Sequence, residues 1–256
     1  MNGNVTALSD GSGDMSAHGA HGVYVDDRRV VHRLQVALRG GSISPVAHSS
    51  SGNRSDFFGS ARHLGDAGPD PTVEVRRQRT AIDMGIEEHI EVTSRASGPV
   101  ETELVVRLAG DGADVGAVKS GAAPTAVLPV VTVTGGLAWR DDRHEVQVGH
   151  DGSDVQVGCD EAGSGLLRMP VRVGPGQTWS VTLTITATRV RSSLLDADPG
   201  SQGVDWSDVR VRAQDSALEP TVRASLDDLQ HLLLRDPQDA RDVFAAAGTP
   251  WYLTLF

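Results

Sequence analysis

The sequence predicts a mainly β chain, an antiparallel β-sandwich followed by two C-terminal helices, and three observations predict it. In Gln177–Thr188, Trp179, Val181, Leu183, Ile185 and Ala187 fall on one face, and Thr178, Ser180, Thr182, Thr184 and Thr186 on the other. A period of two with β-branched residues on the wet side is what a sheet covered on one face requires. About a dozen short segments of this kind, broken by Gly- and Pro-rich turns, favour a sandwich. Helical spacing comes only at the end, where Val222, Leu226, Leu229 and Leu233 recur at intervals of four, three and four.

Taken in order, residues 1–21 are Gly-, Ser-, Asp- and Ala-rich without periodicity and read as a flexible lead-in. From Val30 a strand begins, with Val30, His32, Leu34, Val36 and Leu38 on one face. Residues 40–71 read as a long loop with room for one edge strand. Thr72–Ile82, Ile86–Thr93 and Val100–Leu108 form a meander, whose first turn, Asp83-Met84-Gly85, offers a glycine for positive φ. Gly110–Pro124 is too polar and glycine-rich for core and reads as a loop, its Asp111, Asp114 and Lys119 as solvated charges. Strands resume at Val127–Thr134, Leu137–Arg140, His144–Val148, Asp154–Gly158 and Leu166–Val173. The first helix starts at Glu219-Pro220 or at Ser225 with Asp228, both of which offer cap chemistry. A second runs from Pro237 to Ala247, opened by Asp236 and closed by Gly248.

At 256 residues the chain can bury a substantial core. Its net charge of −11 lacks the footprint of a nucleic-acid binder, and no apolar run reaches the ~20 residues that span a bilayer. The N-terminus carries no signal pattern. Cys159, the single cysteine, cannot form an internal disulfide, which suits a reducing compartment and a cytoplasmic location.

Candidate chemistry is sparse. His18 and His21 could be half of a metal site, but no Cys or carboxylate cluster completes the four ligands zinc takes. His63 lies near Asp66 and Asp70 in a surface loop, and Cys159 has no Cys-x-x-Cys partner. Glu87-Glu88 and Asp141-Asp142 are paired carboxylates, yet neighbours on a strand point to opposite faces and cannot address one glycosidic bond. Asp141-Asp142 has the chemistry of a turn. No metal, cofactor or catalytic residue is assigned. Four of the ten aromatics, Phe244, Trp251, Tyr252 and Phe256, fall in the last 13 residues and mark a different environment there.

Three stretches carry a resemblance. Gly22–Val36 resembles the opening of the N-terminal domain of bacterial glycogen-debranching, amylo-α-1,6-glucosidase-like proteins, with Asp27 and Arg29 on its Asp-x-Arg. Gly85–Gly121 is similar to that domain's central hairpin and acidic loop, where Asp114 and Lys119 fit, although the aromatic beside the aspartates is missing. Ala245–Phe256 resembles the lead into the family's (α/α) barrel, before the Gly-Arg-Asp that normally follows. The resemblance implies a super-sandwich fold and three parts: a lead-in at 1–21, a β-sandwich domain at 22–215, and a helical linker with the start of a missing catalytic barrel at 216–256. It implies a parent α-glucan hydrolase whose barrel holds the catalytic acids, so this chain alone should be inactive. Its role would be to brace the barrel and shape one side of the cleft, its partners being that barrel and, through it, α-glucan. Trp251 and Tyr252 would contact sugar or pack against barrel helices, and apolar surface left at this end would favour association. The alternative is a stand-alone carbohydrate-binding β-sandwich.

Overall fold

The computed structural model describes residues 2–16, 19–123 and 125–190, and towards the C-terminus residues 204, 206, 208–212, 214–235, 239 and 242–245. Among these, the chain forms strands β1 (Val5–Leu8), β2 (Gly22–Val25), β3 (Arg28–Val31), β4 (Arg33–Leu38), β5 (Ser44–Ser51), β6 (Arg54–Ser60), β7 (Val73–Ile82), β8 (Gly85–Ser94), β9 (Val100–Ala109) and β10 (Ala113–Asp114). Helix α1 (Val115–Lys119) precedes β11 (Val130–Val131), β12 (Leu137–Arg140), β13 (His144–His150), β14 (Gln156–Cys159), β15 (Gly165–Val173) and β16 (Thr178–Arg189). Helix α2 (Leu218–His231) leads to β17 (Leu233–Arg235) and β18 (Val243–Ala245).

One layer is an eight-stranded sheet in the order β11-β12-β13-β16-β8-β7-β6-β5. Two four-stranded sheets, β14-β15-β9-β4 and β1-β2-β3-β10, lie over it: β15 packs on β8 and β16, β1 on β7 and β2 on β8. All pairings are antiparallel, so the fold is the mainly β super-sandwich expected. The alternation decides which side chains meet. Leu104, Val106 and Leu108 on β9 and Leu167, Met169 and Val171 on β15 face Ile86 and Ile90 on β8 and Val181, Leu183 and Ile185 on β16, all essentially inaccessible. Each such side chain contributes roughly 1.5–3 kcal/mol of burial.

Several expectations are corrected. Residues 2–16 are not a flexible lead-in: they hold β1, and Met15 is fully buried and hydrogen-bonds both ways with the backbone of Leu34. The strand from Val30 is two strands, β3 and β4, which join different sheets on either side of His32. The stretch 40–71 supplies a full hairpin, β5–β6, at the open edge of the large sheet. Positive φ in the Asp83–Gly85 turn belongs to Met84, at 59°. Gly85 is needed for another reason, since a Cβ there would lie 2.0 Å from the Ile185 carbonyl oxygen. Near the end, α2 starts at Leu218 with Glu219 in its first turn, which excludes Ser225 as the cap. The second helix is corrected in its described part: Val243–Ala245 is a strand paired with Leu233–Arg235. Among the described residues the other helix is α1, inside the supposed loop 110–124.

Candidate functional site

The two resembling stretches within the sandwich meet at one end of it. Gly22 opens β2 with φ at 149°, where a Cβ would lie 2.5 Å from the Val31 carbonyl oxygen and 2.6 Å from Arg29 Cδ. The β2–β3 hairpin turns at Asp26-Asp27, with Asp26 at φ 56°. Strand β10 then adds to β3 in the register Ala113 opposite Arg29 and Asp114 opposite Arg28. Just before β10, Gly110 lets the backbone pass over the Trp139 ring, where a Cβ would be 2.2 Å from Nε1. That indole donates to the Val30 carbonyl at 3.0 Å.

A buried ion pair holds this crossing. Arg29 Nη2 donates to Asp111 Oδ2 at 2.5 Å, with the two side chains 3% and 0% exposed. Arg29 Nη1 donates to the carbonyls of Gly19 and His21 at 2.9 and 3.3 Å. Two charges taken out of water hold only when paired and hydrogen-bonded in this way. Asp111 is therefore a core residue, not the solvated loop charge expected. Beside it, burial pushes the Tyr24 phenol up, and its hydroxyl donates to the Ala20 carbonyl at 2.8 Å. Burial also depresses His32, against the opposing pull of Asp111.

Around this centre the lobe is stitched to the large sheet. Asp26 accepts from Arg189 at 2.8 and 2.7 Å, from Asn4 at 2.7 Å, and lies 3.4 Å from His144 Nε2. Burial would raise its carboxyl, but the hydrogen bonds from His144, Arg189 and Asn4 outweigh it and hold the group far below the ordinary range. Arg28 donates to the Gly112 carbonyl at 2.7 Å and reaches Asp142 at 3.4 Å. Asp114 caps α1 by accepting from Ala117 N at 2.7 Å. The outward-facing residues of the lobe are Asp27, Asp114 and Lys119, all exposed, with Asp27 3.5 Å from Arg143.

A second charged centre lies inside the large sheet. Arg77 and Arg79 share the inward face of β7 with Val73, Val75 and Ala81, and both bind Glu88 of β8 at 2.7 Å. Residues 10–15 cover them. Gly13 O accepts from Arg77 at 3.1 Å and from Arg79 at 2.7 Å, and Asp14 accepts from Arg77 at 2.6 Å. Burial alone would raise Glu88, yet Arg79 and Arg77 together keep it low and ionised. For the mostly buried Asp14, desolvation wins over Arg77 and its carboxyl is raised.

Glu87 and Glu88 indeed point to opposite faces, Glu87 exposed and Glu88 fully buried. Asp141 accepts from the backbone of Arg143 and His144 at 2.7 and 2.6 Å, which is turn chemistry. His18 lies outside the described residues; His21 is 3.0 Å from the Ser16 hydroxyl. Among the described residues no group of three or more His, Cys, Asp or Glu side chains could hold a metal ion. His63 sits against Gly41, and Asp66 accepts from Ser97. Cys159 is exposed, 3.4 Å from the Pro129 carbonyl. No helix among the described residues is long and apolar enough to cross a membrane. Trp251 and Tyr252 lie outside the described residues.

Comparison with solved structures finds a galactose mutarotase-like protein from Lactobacillus casei ATCC 334, at 9% identity and a TM-score of 0.43 over 73% of this chain and 98% of that one. A galactose mutarotase-like protein from Clostridium acetobutylicum matches at 8% identity and a TM-score of 0.37 over 59% and 68%. A protein described as a kojibiose phosphorylase from the human microbiome matches at 9% identity and a TM-score of 0.44 over 89% of this chain and 29% of that one. No curated protein matches. Comparison with protein-family models matches residues 1–184 to the N-terminal domain of some glycogen debranching enzymes, a span that takes in both stretches crossing at β3 and β10. By that match the chain belongs to the family of N-terminal domains of glycogen debranching enzymes.

Proposed function

We propose that this chain is the non-catalytic N-terminal domain of a glycogen-debranching-type α-glucan hydrolase. It braces the (α/α) barrel and shapes one side of the substrate cleft, while residues 216–256 carry the chain into the barrel. The reading is supported chiefly by the β3–β10 lobe, where family-matching residues divide into two kinds. Arg29 is locked in the buried pair with Asp111, whereas Asp27, Asp114 and Lys119 face outward on a rigid base. A fixed base under exposed polar groups is what positions a surface against a neighbouring domain or a bound sugar. Trp251 and Tyr252 join this reading as candidate sugar contacts at the barrel's entrance, and the protein is assigned to the cytoplasm.

The test is complementation. A barrel from a debranching enzyme of the family, deprived of its own N-terminal domain, is co-expressed with this chain. The expected result is soluble barrel and glucan hydrolysis with the wild-type chain, reduced by Asp114→Ala combined with Lys119→Ala. A barrel equally soluble and active with or without the chain would refute the role.

A further inference from the structure

We infer that the solvent-side face of the eight-stranded sheet is a binding surface for an uncharged α-glucan chain. This goes beyond the bracing role and takes from that reading only the substrate class. The register places Phe58, Arg76, Glu91 and Ser180 in one row across β6, β7, β8 and β16. The next row is Asp56, Gln78, His89 and Thr182. The described residues leave these rows open: Phe58 is 40% exposed, and the side chains of Arg76, His89 and Glu91 are 41%, 37% and 29% exposed.

The polar groups are held in place by one another. Arg76 donates to Asp56 at 2.9 Å and to Glu91 at 3.3 Å, Arg54 donates to Asp56 at 2.9 Å, and His89 Nδ1 is 3.1 Å from the Thr182 hydroxyl. Charge then selects the occupant. In a chain of net charge −11, the two arginines here are balanced by two carboxylates within the same network. A neutral, hydrogen-bond-dense surface favours a hydroxyl-rich ligand over a phosphate, a nucleic acid or a charged peptide. Phe58 supplies the apolar contact. It is the one exposed aromatic among the described residues, and its neighbour on the edge strand is only Ala47. The Arg76 guanidinium lies over this ring at 5.8 Å from its centroid and steadies it, and the exposed remainder of the ring offers a sugar C–H packing beside ordered donors and acceptors.

Affinity electrophoresis of the whole chain through gels with and without glycogen tests this. The wild-type chain is expected to be retarded by glycogen, and Phe58→Ala and Arg76→Ala each to weaken retention about tenfold. Arg172→Ala, at an exposed side chain 3.9 Å from Glu101 on the other layer, should be retained like wild type. Matching melting temperatures show that each variant is folded. No retardation of the wild-type chain, or equal retention of both face variants, overturns the inference. Barrel association is scored in the separate complementation, so the bracing role and this surface can fail independently.

Discussion

Arg29 and Asp111, 82 residues apart in sequence, form an ion pair buried at both ends that fixes β3 against the segment leading into β10. Truncating one partner leaves the other charged, dry and unpaired. Asp111→Ala should therefore cost about 3–5 kcal/mol, while Arg29→Met combined with Asp111→Leu should recover a large part of that loss. Urea unfolding monitored by circular dichroism measures both. A single variant as stable as wild type would mean the pair adds nothing to the fold.

Neighbouring glutamates should behave in opposite ways. Glu88 is the shared acceptor of Arg77 and Arg79, whereas Glu87 is exposed on the other face of β8. Glu88→Ala leaves two guanidinium groups facing each other under residues 10–15 and should cost about 3–5 kcal/mol. Glu87→Ala should stay within about 0.5 kcal/mol of wild type. Chemical denaturation of the two variants side by side decides it, and comparable losses would contradict the packing described.

Acid should weaken the fold in two stages. His32 is depressed in the folded state, so its contribution is intact above the ordinary value of 6.5 and is lost as pH falls below it. Asp26 is depressed too, so its contribution holds above the ordinary value of 3.8 and is lost below that. Asp14, being raised, acts with the opposite sign and favours the fold slightly on acidification. A melting-temperature profile taken from pH 8 down to pH 2 should fall first with His32, below 6.5, and again with Asp26, below 3.8. Asp26→Asn should flatten the lower stage and His32→Phe the upper one; unchanged profiles in both would reject these assignments.

Gly22 should resist even the smallest substitution. Its φ of 149° and the nearby Val31 carbonyl leave no room for a methyl group. Gly22→Ala should cost about 1–3 kcal/mol from the backbone alone, with further loss as Arg29 is displaced. Gly68, where an added Cβ would meet nothing within 4 Å, is the control whose alanine variant should melt like wild type.

The chain by itself should not hydrolyse glucan. Incubated with a branched glucan, the purified protein should release no reducing sugar above a blank. Measurable release would place a catalytic pair within these residues and contradict the domain assignment.

Long, evenly alternating strands were legible in the sequence because burial on one side imposes their period. Leu137–Arg140 was bounded as observed, and β7, β8, β9, β15 and β16 came within a few residues. Two of the misses, the segment before Met15 and Asp111, share a physical cause, which is burial achieved through charge or backbone instead of apolar pattern. Asp10–Met15 is polar, yet Asp10 Oδ1 accepts from Ser12 and Asp14 N, shaping a turn that delivers Met15 to the core. Asp111 lies in a glycine-rich run because its partner, Arg29, is far away in sequence. One signal could have been read: Arg77 and Arg79 share strand parity with Val73, Val75 and Ala81, and Glu88 shares it with Ile86 and Ile90. Parity of that kind demands buried arginines and a carboxylate opposite. The composition of the 110–124 loop makes Asp114 and Lys119 legible as solvated charges, but only the resemblance groups them with Asp27, because exposed polar residues carry no period.

Strand β16 sits between β8 and β13, deep in the large sheet, although it is the last of that sheet's strands in sequence. On the ribosome, β8 must therefore wait with a bare edge while nearly a hundred further residues are made, an interval set by the pairing of Glu87 with Thr184. Nascent chains stalled before Thr178 would present that edge to one another and invite aggregation. Chaperone demand of this domain should accordingly peak after β8 has emerged and fall once Arg189 is out and can reach Asp26.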